Sequence, residues 1–207
     1  MTSLLRPLSR PALRPLIGDS LSDRVTFVGP YGVGKTTALR AVSDIPVLDT
    51  DVPMTREQLG ADSHKTRTTV GFDYGEWQFG DGSRISLCGL PGQERFDAVW
   101  DALLPQSSGV VLWLFGDRPG GSAEGVAEMA RWVSAIAARV PVVRLAVAIT
   151  RLPAGFADSA LDPYRDALQA WHPMAPVLSA DPRSAADVRQ VIAVSLASPA
   201  AAVTAVA

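Results

Sequence analysis

The stretch GPYGVGKTT, residues 29–37, constrains the architecture of this chain more than any other. It follows a short apolar run, RVTFV (24–28), and leads directly into KTTALRAVS (35–43), whose composition is helical. A strand, a glycine-rich turn and a helix in that order open a βαβ unit, which points to a parallel sheet with helices packed on it. Gly29, Gly32 and Gly34 let the backbone curl so that successive N–H groups face one point. The helix adds the partial positive charge of its N-terminus. The stretch fits G-x-x-x-x-G-K-[ST], a loop built to cradle phosphate: the backbone from Gly29 through Tyr31, Val33 and Thr37 surrounds the anion, Lys35 reaches the β- and γ-phosphates, and the Thr36 hydroxyl ligates Mg²⁺. Elsewhere the chain uses arginine, and its only lysines are Lys35 and Lys65. A compact ammonium suits a phosphate cradle where a wide guanidinium fits poorly.

The pattern beyond that loop repeats strand and helix. TVGFDYGEWQF (69–79) alternates, GDGS (80–83) turns, and RISLCGL (84–90) returns, so this pair is expected as an antiparallel hairpin. QERFDAVWDALL (93–104) reads as a helix ending at Pro105, and GVVLWLF (109–115) as a buried strand. The helix over 122–140 is expected to bury a stripe of Val126, Ala130, Val133, Ala137 and Val140. VVRLAVAIT (142–150) is a further strand, 158–171 a helix with Pro163 in its first turn, PVLSA (176–180) a short strand, and 184–197 a last helix capped by Ser184. The sum is a mostly parallel six-stranded sheet with one antiparallel edge strand and helices on both faces. Ligands of such sheets sit at the carboxyl ends of the strands. Residues 23–197 are expected to form this domain, between a Pro/Arg-rich tail (1–22) and a C-terminal tail of mostly small residues (198–207). The connection from Val47 to Thr68 is long, polar and turn-rich, the kind usually kept for function.

Bulk numbers exclude several classes. A net charge of −2 gives no basic field for nucleic acid, and neither end reads as a membrane span. One cysteine, Cys88, permits no intrachain disulfide, which fits a reducing cytoplasm. The prolines at 7, 11 and 15, each after an arginine, break any signal-peptide core; the tail is then a mobile basic arm or a docking arm for a partner or an anionic membrane surface.

A second cluster, Thr69-Val70-Gly71 entering the hairpin and PGQERF (91–96) leaving it, resembles the two switch regions of Ras-like small GTPases. The Pro-Gly-Gln form, with no aspartate two positions before the proline, is most similar to the bacterial MglA-type group that works with Roadblock-fold partners. The resemblance implies a Ras-like P-loop NTPase fold. It makes Thr69 the switch I threonine that senses Mg²⁺ and the γ-phosphate, with Thr66 and Thr68 as competitors for the role. It makes Gly92 the switch II glycine whose N–H contacts the γ-phosphate, and Gln93 the residue that orients attacking water. Gly89 stands where most P-loop GTPases carry an aspartate that holds Mg²⁺ through water, a departure expected to weaken the metal. Arg67 and Arg95 lie in the two switches, either as solvated surface arginines or as transition-state charge.

The base-reading end departs further. The resemblance calls for Asn-Lys-x-Asp after the strand 142–150, where this chain has Thr150-Arg151-Leu152-Pro153. Arg151 can stack on a base and Thr150 can keep one supporting hydrogen bond, but Pro153 has neither an acceptor side chain nor an N–H. Asp158 is the nearest acid. Ser179 and Ala180 fit the Ser-Ala part of the last motif, which implies that the Ala180 N–H meets the purine carbonyl. The expected activity is a cytoplasmic molecular switch that prefers GTP, cycles between GTP and GDP with Mg²⁺, and hydrolyses slowly without a partner. A GAP-like or Roadblock-fold regulator and an effector are expected at the switches. A nucleotide-binding scaffold with little turnover, and a P-loop ATPase or kinase, are the alternatives. Trp77, Trp132 and Trp171 read as core residues or partner surfaces, and His64 and His172 are too scattered for a metal site.

Overall fold

A computed structural model describes residues 23–49, 72–79, 82–92 and 97–197. The elements run β1 (Asp23–Val28), α1 (Lys35–Val42), β2 (Leu48–Asp49), β3 (Asp73–Gln78), β4 (Arg84–Gly89), α2 (Asp97–Leu103), β5 (Gly109–Phe115), α3 (Gly121–Ala137), β6 (Leu145–Thr150), α4 (Asp162–Leu168), β7 (Val177–Ser179) and α5 (Ala185–Ala197). They build one sheet in the order β2-β3-β4-β1-β5-β6-β7. The six expected strands are present and β3 is the antiparallel one. A two-residue seventh strand, β2, pairs antiparallel outside it.

Period-two alternation in the central strands explains why both faces are covered. In β5, Val110, Leu112 and Leu114 join one core with Trp100, Met129, Val133, Ile136, Tyr164 and Leu168 from α2, α3 and α4. Val111, Trp113 and Phe115 point the other way, into a core with Leu39 and Val42 of α1 and Val188 and Ile192 of α5. On that second face β6 contributes only Ala146 and Ala148, and small side chains there let α5 lie close to the sheet. Every residue of β5 and β6 is buried, as a strand covered on both sides requires.

Three local expectations change. In α3 the buried residues are Gly125, Glu128, Met129, Val133 and Ile136, so the stripe runs about one position off the one expected: Ala130 is exposed and Val126 and Ala137 are only half-buried. The rotation follows larger groups, since Met129 and Ile136 fill more of the core than alanine, and Trp132 stacks on Trp100 at 5.4 Å. Glu128 is buried because Arg118 binds it through two nitrogens. The helix expected over 158–171 is split: a 3₁₀ turn, Asp158–Leu161, precedes α4, with Pro163 in the first turn of the α-helix proper. The strand expected over 142–150 begins only at Leu145, after a 3₁₀ turn at Val142–Arg144. The Ser184 cap is present: its Oγ accepts from the Asp187 N–H and donates to the Asp187 carboxylate. The tails, the Val47–Thr68 connection beyond Asp49, and the start of the helix at 93–96 lie outside the described residues. Among the described residues no helix is long and apolar enough to cross a membrane.

Candidate nucleotide site

Parallel pairing brings the ends of β1, β4, β6 and β7 to one edge of the sheet, and antiparallel β3 starts there. That edge collects the 29–37 loop, Gly92, Thr150, Arg151, Ser179 and Ala180. Gly29 turns the chain out of β1 at φ +133°, and a Cβ built on it would lie 2.1 Å from the Trp113 carbonyl oxygen, so only glycine passes between β1 and β5. Gly34 is the N-cap of α1, in the left-handed region. Between them Tyr31 projects into solvent, 81 % exposed, while Val33 is buried and ties the loop to the α1–α5 core.

Lys35 folds back over this loop. Its Nζ donates to the carbonyls of Gly29 at 2.6 Å and Pro30 at 2.9 Å. Burial pushes the ammonium down to about 8, against the opposing pull of the Asp73 carboxylate. The ammonium is thus held at the mouth of the loop, partly stripped of water, where an anion gains most from it.

The Thr36 hydroxyl donates to the Asp73 carboxylate at 2.5 Å. Asp73 is a site residue that the sequence reading passed over. It pairs in register with Gly89, and a Cβ at position 89 would meet the Asp73 Oδ2 at 3.2 Å and its Cβ at 3.3 Å. Asp73 thus sets a carboxylate beside position 89, across the hairpin. The signal was arithmetic: a hairpin that pairs Gln78 with Arg84 across its turn also pairs Asp73 with Gly89. Two oxygen donors, one of them a carboxylate, suit Mg²⁺, which takes one or two carboxylates and completes its shell with phosphate and water. No cluster of three or more metal-ligating His, Cys, Asp or Glu side chains exists among the described residues.

Gly92 packs onto the loop from above. A Cβ there would fall 2.5 Å from the Gly29 carbonyl oxygen and 2.7 Å from the Tyr31 nitrogen, so glycine is required for this approach. Thr69, Gln93, Arg67, Arg95, Thr66 and Thr68 lie outside the described residues.

The other half of the edge is a cavity of about 540 Å³ beside the loop, lined by Gly32 and Thr37, by Thr150 and Arg151 after β6, and by Ser179 and Ala180 after β7. Arg151 has φ +59°, the one non-glycine residue with positive φ among the described residues. Its guanidinium donates to the Gly32 carbonyl at 2.9 Å and lies over the Phe115 ring at 4.6 Å, contacts that hold a backbone conformation costing about 1–3 kcal/mol. The Ala180 N–H, expected to face a purine carbonyl, instead donates to the Ile149 carbonyl at 3.0 Å and extends the β6–β7 ladder. Asp158 is not in the cavity, and both its oxygens accept from Arg165.

The fold compares with known structures as this geometry suggests. It is similar to the bacterial selenocysteine-specific elongation factor EF-Sec, with a TM-score of 0.57 and 16 % identity over 83 % of this chain and 28 % of that one. It is also similar to the cytosolic domain of the T. maritima FeoB iron transporter in its GMPPNP form, with a TM-score of 0.51 and 17 % identity over 84 % of this chain and 62 % of that one. The chain spans less than two thirds of the length of either. No protein-family model matches the sequence, and no curated protein does. Both structures share this fold, a mostly parallel sheet with one antiparallel strand and helices on both faces.

Proposed function

We propose that this chain is a nucleotide-dependent molecular switch that binds GTP and hydrolyses its β–γ phosphoanhydride. The observation that carries the reading is the single edge where Lys35 caps the glycine-rich loop, the Thr36 hydroxyl meets the Asp73 carboxylate, and Gly92 packs on the loop. Lys35 and the loop backbone bind and orient the phosphate chain. Thr36 and Asp73 would hold Mg²⁺, which when bound would supply positive charge against that of the phosphates. Gln93 positions the water that attacks the γ-phosphorus; the bond to the bridging oxygen breaks, leaving GDP and inorganic phosphate.

Gly92 couples chemistry to shape. A γ-phosphate drawn to its N–H would fix the start of the PGQERF segment, and loss of that phosphate would release it. Thr69 would do the same for the first switch. The MglA-type resemblance extends this reading to a cytoplasmic protein with a GAP-like or Roadblock-fold regulator and an effector at the two switches, and to the N-terminal arm as a peripheral docking element. Calorimetric titration with Mg²⁺·GTP, followed by single-turnover phosphate release, tests it. Binding in the micromolar range with slow release is expected; no binding at millimolar nucleotide would sink the reading. Gln93→Ala should leave binding intact and slow release by at least tenfold, and unchanged release would remove Gln93 from the mechanism.

A further inference from the structure

We infer that the base end of this site holds a purine by stacking without reading its edge, so that ATP and GTP bind alike. The inference rests on the nucleotide-binding reading above and replaces the expected preference for GTP. Reading guanine takes two things at the base edge: a carboxylate to accept from the N1–H and the exocyclic amine, and an N–H to donate to the carbonyl. The cavity contains two carboxylates, Asp181 and Asp187, and both already accept from neighbouring groups of this chain. Asp181 accepts from the Arg183 Nε at 3.0 Å, from its Nη2 at 2.8 Å and from its backbone N–H at 2.9 Å. Asp187 accepts from the Ser184 hydroxyl at 2.8 Å and from the Asp181 N–H at 2.9 Å, an arrangement that caps α5. Those bonds also use the Asp181 N–H, while the Ala180 N–H is spent on Ile149. Position 153 is proline and offers no donor.

What remains suits any purine. Arg151, locked between Gly32 and Phe115, presents a flat cation beside the loop, and a guanidinium stacks on adenine or guanine without distinguishing them. The exposed Ser179 hydroxyl both donates and accepts, so it serves the 6-carbonyl of guanine and the 6-amine of adenine equally. A site that pairs a base edge with buried polar partners discriminates by about 10⁴–10⁵, whereas one differing neutral hydrogen bond changes affinity by about tenfold.

The test is direct titration of the full chain with Mg²⁺·GTP and Mg²⁺·ATP, or their non-hydrolysable analogues, repeated on Arg151→Ala and Asp181→Asn. Affinities within about tenfold of each other support the inference, and a larger preference for either nucleotide overturns it while leaving the nucleotide site intact. Failure of both nucleotides to bind overturns the switch reading and this inference together. Arg151→Ala is expected to weaken both nucleotides by a similar factor, about tenfold, with their ratio unchanged; a loss confined to GTP means that the edge is read after all. Asp181→Asn is expected to leave the ratio unmoved, and a shift toward ATP would identify Asp181 as a guanine acceptor and overturn the proposal.

Discussion

The phosphate end and the base end of this site share one sheet edge, yet they are built on different logic. At the phosphate end the lysine that would meet a ligand is hydrogen-bonded but desolvated. Lys35 sits against two carbonyls with its ammonium pushed down to about 8, and the Asp73 carboxylate accepts from the Thr36 hydroxyl. At the base end the comparable groups are satisfied by their own neighbours, through the α5 cap and the Asp181–Arg183 pair. Both ends are hydrogen-bonded within the chain, but only Lys35 is a desolvated charge, which gains more from a counter-charge than neutral or solvent-exposed pairs do. Under the proposed function this would localise affinity at the triphosphate and leave the base as a stacking appendage.

The strongest way to break that contrast is to remove the phosphate anchor. Lys35→Met should cut nucleotide affinity by at least about 100-fold, the scale of losing a partly buried charge-assisted contact, with the melting temperature of the nucleotide-free protein little changed or raised. Retention of affinity within tenfold would mean that the base end carries the binding. Asp73→Asn comes next. It should weaken the Mg²⁺-dependent part of nucleotide binding by about 10–100-fold and leave binding in EDTA untouched, measured as paired titrations with and without metal. An equal loss in both conditions would make Asp73 a scaffold for the hairpin and not a metal holder.

Proton linkage sharpens the same point with a smaller effect. In the free protein Lys35 gives up its proton near pH 8, and phosphate oxygens beside it would keep the proton bound in the complex. Below pH 8 both states are protonated, so affinity is flat. Above pH 8 binding must take up a proton, and affinity should fall by about tenfold per pH unit. Titrations at pH 7, 8 and 9 in buffers of different ionisation enthalpy read both the affinity and the proton uptake. A flat profile to pH 9 would place the ammonium in ordinary solvent.

How much of this was legible beforehand follows the same division. The loop at 29–37 was legible because its chemistry is local: glycines, lysine and threonine contiguous in sequence act as one unit. The continuous apolar runs of β5 and β6 announced two covered faces for the same reason. Asp73 was missed because its place opposite Gly89 is set by register across a hairpin, and a single chain position does not announce its cross-strand partner. The α3 stripe was misplaced because alanine and methionine count alike in an apolar pattern but not in the volume they fill. The fate of the Ala180 N–H depended on whether the β6–β7 ladder ran one residue further, which only the assembled sheet decides.

The mildest change tests the base end by trying to restore what it lacks. Pro153 stands in the position where the Ras-like pattern carries its guanine-reading aspartate, two residues after Arg151 and exposed to solvent. Pro153→Asp adds an acceptor carboxylate and returns a backbone N–H, without asking any buried side chain to move. If the base is presented at this edge and merely unread, the variant should favour GTP over ATP by about a further tenfold, the worth of a new hydrogen bond in a partly wet site. ATP affinity should stay where it was, because adenine offers no N1–H for the carboxylate to accept. Competition between the two nucleotides on the variant measures this. An unchanged ratio would mean that the base does not lie along Arg151 at all, and that the platform held by Gly32 and Phe115 serves the loop alone.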